Sequence, residues 1–432
     1  MLPIQPKNPS FLLREALVNK YLDLKQVDEV PKEPRGMFVS AHVQKNMQRD
    51  YPPPNMESLV YSGSGISRQQ AQVLQKSKET FILEFAHPKE NVWTALRTAN
   101  ALVEEIARTT GGLVWDEETR EIFSPDAWHQ KRLADREGGV PNIASQTVIH
   151  VYKKDEFVRA ITLGMTKAGL PDVVVDDFSW YSESEVGDLI NIFCQSMAEG
   201  AAFGLPGTFD MDLQTIKNSD LRDEQLKSLK ANSTGKGYLS LKKGIWEEGD
   251  PKNRLIQLTF DRYLGNDIHA KQDRMLGCFL GWEENVTAVR HNEELLEASR
   301  KARAKLPELQ RAFRAGLQPR EFIQVKVPFQ SPDGGNEWMW VEITSWKDNI
   351  NRGLLENEPT IIQNLHSGQI VDIREEDVFD YIRQYPDGRS QGNTTGEILK
   401  KLDHDKRPAS TPPFGGGPQI GSQPASDGCV PD

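Results

Sequence analysis

The chain has 432 residues, of which 27% are charged and 37% belong to the hydrophobic set, and its formal net charge is −11. At roughly 150 residues per domain, this length predicts two or three globular units. The composition excludes a largely disordered chain, and the acidic balance argues against a protein that binds nucleic acid or an anionic membrane with its whole surface.

The three cysteines, Cys194, Cys278 and Cys429, are more than eighty residues apart along the chain. This spacing predicts neither a disulfide framework nor a thiolate zinc site, and it is typical of a reducing compartment. The first twenty residues lack a basic region followed by an apolar run, and no stretch approaches the roughly 18 apolar residues that span a bilayer. We therefore expect a cytoplasmic protein with no membrane partner.

Residues 1–65 predict one helix followed by an extension. Apolar residues fall near one face of a helix over 11–25, and prolines at positions 31, 34 and 52–54 then prevent the helix from continuing. We expect this segment to lead into the first compact domain, at 66–203.

The predicted domain at 66–203 alternates strands and helices. Its predicted elements are a strand at 80–85, a helix at 88–110, a hairpin at 113–123 turning at Asp116, a helix from Ser124 to Trp128, strands at 147–152 and 172–178, and a helix from a Ser182/Glu185 capping box to Gly200. This order predicts helices packed on a mixed sheet.

A second domain is predicted at 204–400, followed by a tail. Its predicted elements are strands at 254–260 and 275–282, a helix capped by Asn292 that Pro307 breaks or restarts, strands at 322–329, 338–346, 350–355 and 369–373 with a hairpin turn at 331–335, and a helix at 375–384. From 408 to 432, 14 of 25 residues are Pro, Gly or Ser, so residues 401–432 are predicted to be a disordered tail.

The strand EWMWVEITSW at 337–346 has apolar residues on both faces. Trp338 and Trp340 share one face, and Met339, Val341 and Ile343 share the other. Such a strand is buried on both sides, so it predicts the centre of a small sheet. The expected fold class is α+β, with two α+β domains whose sheets are mixed or antiparallel, the C-terminal one a small twisted sheet or partial barrel.

Chemistry-bearing motifs give no catalytic residue, metal ligand set or cofactor. The eight histidines are scattered, the Gly-Lys sequence at 233–237 lacks the rest of a phosphate-binding loop, and no nucleophile elbow is present. Cys194 lies on an apolar helix pattern that predicts core packing. Seven Lys or Arg and one acid lie between Ser299 and Arg320, which suits RNA binding by a small barrel, although a helix C-terminus also explains the charge.

A ligand groove is a possible use of the tryptophan strand, beside the simpler account that its tryptophans pack a core. Aromatic rings with a few converging amide and carboxylate groups describe a ligand or peptide site. The candidate groove residues are Trp338, Trp340, Trp346, Glu342, Asn357, Glu358, Asn393 and Thr394.

The segments VKVPF, EWMWVEITSW, GLLENEP, GQIVDI and DGRSQGNTT follow one another between residues 325 and 395. In this order they resemble the bacterial YegJ-like domain of unknown function, at about 292–400 with its core at 322–396. More loosely, the region at about 80–200, with GGLVWDEETREIFSPDAW, is similar to another uncharacterised bacterial domain that is associated with immunity-type proteins. Neither resemblance implies a reaction.

The leading hypothesis is a non-catalytic interaction protein, immunity-like by analogy, whose partner is a protein or a small molecule. The first alternative is a hydrolase with carboxylates at the domain junction, such as Glu342, Glu358 and Asp372. The second alternative is an RNA-binding small-barrel module, although nucleic acid is a disfavoured partner.

Overall fold

A computed structural model describes residues 8–134, 139–230, 233–265, 267–281, 293–332, 336–347 and 350–405. The predicted Asn292 cap, the tip of the predicted turn at 331–335 and the predicted tail from 406 onward lie outside the described residues. Residues 401–405, which the sequence assigns to the tail, belong to the last helix.

The described chain contains both helices and sheets, which confirms the α+β class. The helices are α1 (Pro9–Asn19), α2 (Met47–Asp50), α3 (Leu59–Ser62), α4 (Arg68–Leu74), α5 (Val92–Thr110), α6 (Pro125–Arg132), α7 (Glu183–Ala198), α8 (Ser219–Ser228), α9 (Ile268–Leu280), α10 (Glu293–Ala315) and α11 (Thr394–Asp405). The strands are β1 (Leu24–Val27), β2 (Met37–Gln44), β3 (Gly63–Ser64), β4 (Thr80–Ala86), β5 (Val114–Asp116), β6 (Glu121–Phe123), β7 (Val148–Lys154), β8 (Phe157–Leu163), β9 (Asp172–Phe178), β10 (Gly207–Asp212), β11 (Lys236–Lys243), β12 (Leu255–Thr259), β13 (Phe322–Gln330), β14 (Asn336–Lys347), β15 (Ile350–Leu355), β16 (Ile370–Arg374), β17 (Asp380–Gln384) and β18 (Ser390–Gly392).

Two six-stranded sheets carry most of the core. The central sheet has the order β10-β11-β12-β9-β8-β7, and the C-terminal sheet has the order β16-β15-β14-β13-β17-β18. In the central sheet β12 and β9 are parallel and the other pairs are antiparallel, so the sheet is mixed, whereas the C-terminal sheet is antiparallel throughout. The central sheet joins strands from both sides of the predicted boundary at 203/204. Two three-stranded sheets, β1-β2-β4 and β3-β6-β5, precede it along the chain.

Local sequence signals explain several correctly predicted elements. The helix α5 ends where Gly111 adopts φ 70°, a left-handed conformation that glycine adopts without strain. At the start of α6, the Ser124 hydroxyl accepts a hydrogen bond from the N–H of Ala127, and Pro125 occupies the first turn. In the predicted hairpin, the Asp116 carboxylate accepts a bond from the N–H of Thr119.

Other predicted elements are wrong. The predicted helix at 11–25 ends at Asn19, because residues 24–27 pair with β2 as β1. Ser182 makes no side-chain cap for α7, because its hydroxyl bonds the Ser179 hydroxyl, and its N–H donates to that same hydroxyl and not to Glu185. The prediction assigned no strand to β8, β10 or β11.

The predicted strand at 275–282 lies almost entirely within helix α9. The run MLGCFL at 275–280 is apolar on every side because this end of α9 is buried, with Met275, Cys278 and Phe279 inaccessible to solvent. A short apolar run does not distinguish a buried helix from a buried strand, and contact with the central sheet decides between them.

The predicted helix at 375–384 is also wrong, because β17 occupies its second half and pairs with β13. Tyr381 on β17 belongs to the C-terminal core, so its burial outweighs the local helical pattern. Pro307 does not break α10, which continues from Glu293 to Ala315. Buried Leu306 and Leu309 on either side hold the helix against the sheet and offset the hydrogen bond that proline removes.

The tryptophan strand β14 lies third in the C-terminal sheet, as an interior strand should. Met339, Val341 and Ile343 pack with Leu306 and Leu309 of α10. A register shift between Ile343 and Ser345 inserts one extra residue, so Trp346 joins this core and not the Trp338 face.

The described residues include no helix whose length and hydropathy would let it cross a membrane.

Candidate functional site

A cleft lies where the central sheet meets the C-terminal sheet. The parallel neighbours β9 and β12 are followed by α7 and α9, so both helices begin at the same edge of the central sheet, a common place for ligands in such sheets. The cleft, called the junction cleft below, is lined by Ser179, Ser182, His269, Gln272, Asp273, Leu354, Leu355, Glu356 and Gly368. Its empty volume is about 270 Å³ with the part open to solvent included, and its inner part has room for about one water molecule.

Glu342 brings a carboxylate from β14 close to this cleft, where it is hydrogen-bonded by the side chain of Ser179, a residue that lines the cleft. The side chain is buried at 4% exposure, and its Oε2 accepts a hydrogen bond of 3.0 Å from the N–H of Tyr181. Burial raises the pKa of Glu342 to about 7. Hydrogen bonds to its carboxyl group from the main chain of Tyr181, the side chain of Ser179 and the main chain of Trp180 oppose that rise, as does the charge of Lys153. The carboxyl group therefore changes its charge near neutral pH.

Glu356 lies one residue beyond β15 and lines the junction cleft. Its main chain is fixed, since its N–H donates to the carbonyl of Trp340 at 2.9 Å, but its Oε1 is buried and has no hydrogen-bond partner. Burial raises the pKa of Glu356 well above its usual range, and the charges of Glu342, Asp273 and Glu185 raise it further. Because Glu342 and Glu356 interact strongly, they titrate as a pair.

His269 faces the same cleft from the first turn of α9. It is 5% exposed, its ring lies 4.1 Å from that of Phe157 between centroids, and its Nδ1 has no partner. The main chain of Asp177 hydrogen-bonds the ring, and burial lowers the pKa of His269. Since Nδ1 is unpaired, Nε2 makes that bond, which leaves a neutral ring with the Nδ1 lone pair as an acceptor.

Direct contacts hold the C-terminal sheet against α7 and α9. The rings of Tyr181 and Phe322 meet edge to face with centroids 6.2 Å apart. Gly368 has φ 75°, and a Cβ there would lie 2.5 Å from the carbonyl oxygen of His269. The close approach of the two parts therefore requires glycine at this position.

The predicted groove residues Trp338, Trp340 and Asn357 lie near one another but are engaged within the fold. The Asn357 Oδ1 accepts the N–H of Trp340 at 2.7 Å, and the Trp338 ring lies 4.5 Å from that of Phe379. The Lys326 ammonium lies 5.6 Å from the centre of the Trp340 ring.

The other predicted groove residues are dispersed. Trp346 is in the core beside Phe313, and Glu358 accepts a bond from the N–H of Ser367 at 2.9 Å. Asn393 lies beyond β18, on the far side of β13 and β17 from β14, and Thr394 is exposed at the start of α11. None of the predicted groove residues lines the junction cleft, and Glu342 lies next to it through its hydrogen bond with Ser179.

The carboxylates named for the hydrolase alternative do not converge either. Asp372 is exposed and pairs with Arg352 at 2.8 Å, away from Glu342. Glu342 interacts instead with Glu356. The sequence prediction missed both Glu356 and His269. A charged residue in the apolar run of β14 is a signal for Glu342, whereas nothing in the local sequence marks His269.

The basic segment at 299–320 is largely paired within the protein. Arg300 pairs with Glu297, Lys305 with Glu308, and Arg320 with Glu183. The described strands form no closed barrel.

Residues 292–410 match a family model described as an uncharacterized protein conserved in bacteria (DUF2314). This region carries the bacterial DUF2314 domain. The match covers just over a quarter of the chain. No match was found among curated proteins or among solved structures.

The DUF2314 domain supplies one wall of the junction cleft, with Leu354, Leu355, Glu356 and Gly368. The opposite wall, with Ser179 and His269, lies outside the matched residues. The cleft therefore depends on how this domain packs against the preceding part of the chain.

Proposed function

We propose that the protein is a non-catalytic binding protein and that the junction cleft is its ligand site. One observation carries this proposal: two buried polar atoms, the Oε1 of Glu356 and the Nδ1 of His269, have no hydrogen-bond partner, and both residues line the same small cleft. Buried polar atoms are nearly always paired, so two unpaired atoms in one cleft indicate a site that a ligand completes.

The other cleft groups favour binding over covalent catalysis. The hydroxyls of Ser179 and Ser182 are 3.2 Å apart and bond each other, and the Ser179 hydroxyl also accepts the N–H of Ser182. Cys194 is buried in α7, and burial raises the pKa of its thiol well above its usual range. Among the described residues that line the cleft, none is arranged as an activated nucleophile.

The cleft admits a small group, so the proposed ligand is a small molecule, bound in the cytoplasm. A YegJ-like identity for the C-terminal domain and an immunity association for the region at 80–200 remain predictions from sequence motifs. Both fit a binding role, and neither adds a substrate.

Thermal unfolding of the full chain with compounds from four charge classes tests the proposal: primary amines, carboxylates, phosphates and neutral sugars. We expect at least one class to raise the Tm of the wild type and to lose this effect in the His269→Asn/Glu356→Gln double variant, because binding to the folded state shifts Tm. The control is His129→Asn/Glu104→Gln, a contacting pair of the same residue types 3.0 Å apart on α6 and α5. The proposal fails if no shift depends on the cleft residues.

A hydrolase is the second candidate, and the raised pKa of the Glu342 and Glu356 pair favours it. A protonated carboxyl group beside a neutral histidine suits general acid–base activation of water near pH 7. Chromogenic esters, phosphate esters and glycosides test this candidate. Turnover that disappears in Glu356→Gln would support it, and equal rates in the variant and the wild type would exclude the cleft as the active site.

A further inference from the structure

We infer that the group bound in the junction cleft is a primary ammonium group, carried by a small amine. This inference rests on the proposed binding function. It follows from three properties of the cleft: the hydrogen-bonding character of its free atoms, the sign of its charge and its size.

The atoms available to a ligand are acceptors. The Nδ1 of His269 presents a lone pair, and the Oε1 of Glu356 accepts hydrogen bonds when the carboxyl is ionised. The side-chain donor of Gln272 is directed to the carbonyl of Asp176 at 3.4 Å, and the serine hydroxyls bond each other. A ligand that completes this site must therefore donate hydrogen bonds.

The titratable groups around the cleft are mainly acids, which become negative when they ionise. The C-terminal sheet contributes Glu342 and Glu356, α9 contributes Asp273, and α7 contributes Glu185. The nearby cations are Lys153 of β7, which acts on Glu342, and Lys230, which pairs with Glu185 at 3.0 Å. His269 is neutral, and ionisation of these acids stabilises a bound cation and disfavours an anion.

The size of the cleft selects among cations. Its inner part has room for about one water molecule, which an ammonium group matches with three donors on a compact centre. A guanidinium group is planar and wider, with five donors in a fixed fork. The described residues contain no group of three His, Cys, Asp or Glu side chains placed to hold a metal ion.

Isothermal titration calorimetry of the full chain with n-butylamine tests the inference. Tetramethylammonium, which has the same charge but no N–H donor, and n-butylguanidine are the matched probes. We expect n-butylamine to bind at least tenfold more tightly than either. Glu356→Gln and His269→Asn should each weaken its binding at least tenfold, and the His129→Asn/Glu104→Gln control should leave it unchanged.

Release of protons from the cleft carboxyl groups on amine binding gives a second readout. Apolar packing of the amine's alkyl chain alone would not release protons. The ammonium favours the ionised carboxylate, so binding near pH 7 should expel protons, and the observed heat should differ between PIPES and MOPS buffers, which have tertiary amines and different heats of ionisation. Affinity should be higher at pH 8 than at pH 6. In Glu356→Gln we expect the buffer dependence to decrease together with the affinity.

Two results overturn the inference in different ways. Equal binding of tetramethylammonium, or Glu356-dependent binding of an anion or a neutral compound in place of the amine, rejects the ammonium group and leaves the binding function standing. If no amine, anion or neutral compound binds in a manner that depends on Glu356 or His269, an ordered water completes the cleft and both proposals fail.

Discussion

Individual residues at the junction cleft have properties that their neighbours in sequence do not explain. Glu342 sits in an apolar strand, so the sequence alone marks it as unusual. Its pKa is raised because α7 and the loop before that helix bury the carboxyl group of Glu342. Glu356 and His269 are ordinary polar residues in sequence, and only their shared cleft distinguishes them.

Glu342→Gln should remove a pH dependence of stability. The pKa of Glu342 is raised from 4.5 to about 7, so the protonated form favours folding, and its contribution is complete below about pH 4.5 and is lost as pH rises through 7. We expect the variant to have a higher free energy of unfolding than the wild type at pH 8.5 and a similar one at pH 5, measured by urea denaturation.

Glu104→Gln is the matched control with the opposite sign. Burial raises the pKa of Glu104, but hydrogen bonds from His129 and Arg108 outweigh it and lower the net value. Its ionised form therefore stabilises the fold above pH 4.5, and this variant should lose stability at pH 8.5. If Glu342→Gln also loses stability at pH 8.5, the raised pKa of Glu342 is wrong.

At the scale of helices and strands, local sequence signals were sufficient to predict some elements correctly but not others. The caps of α5 and α6 lie in the sequence itself, as a glycine and a Ser-Pro pair, and both helices form as predicted. The helix α9 and the strand β17 were assigned wrongly, because their apolar residues contact sheets that are distant in sequence. Short apolar runs take the structure that their neighbours impose.

The contact between α9 and the DUF2314 domain should depend on Gly368. In Gly368→Ala the new Cβ would meet the carbonyl oxygen of His269, and the residue would have to hold a positive φ. We expect a loss of roughly 2–4 kcal/mol in the free energy of unfolding, together with faster hydrogen exchange in the segment around Tyr181.

Gly388→Ala separates the cost of a positive φ from the cost of the steric clash. Gly388 has φ 84°, and a Cβ added there would have no atom within 4 Å, so this variant carries the conformational cost without the clash. We expect a loss of about 1 kcal/mol and unchanged exchange around Tyr181. Equal losses in the two glycine variants would show that the approach at Gly368 has no steric role.

The bulge in β14 changes the role of one tryptophan. Because Trp346 is buried with α10 while Trp338 is only half-buried on the other face, Trp346→Ala should cost about 3–5 kcal/mol. Trp338→Ala should cost roughly 1–2 kcal/mol. Urea denaturation of both variants measures the difference, and a larger loss for Trp338→Ala would contradict the shifted register.

At the scale of the whole molecule, the DUF2314 domain and the central sheet meet through buried contacts and a surface ion pair. The surface pair joins Arg320 and Glu183 at 2.8 Å, with the Arg320 side chain 67% exposed. The buried contacts include the Glu342 bond to Tyr181 and the packing of Phe322 on Tyr181.

Arg320→Ala should therefore change the free energy of unfolding by less than about 0.5 kcal/mol, because an exposed ion pair is screened by solvent. Phe322→Ala, which removes the buried ring contact, should cost several times more. Urea denaturation at low and high salt measures both, and a large, salt-sensitive loss in Arg320→Ala would show that the ion pair holds the two parts together.

The sequence by itself determined the α+β class, the interior position of the tryptophan strand and the helices whose caps are local, because these depend on periodicity and on residues a few positions apart. The tertiary structure decided the identity of α9 and β17, the side on which Trp346 lies, and the junction cleft. The cleft residues Ser179, His269 and Glu356 come from three distant segments, and burial and charge act on them only after the sheets pack. No local pattern encodes that proximity, which is why the sequence identified Glu342 but not its neighbours.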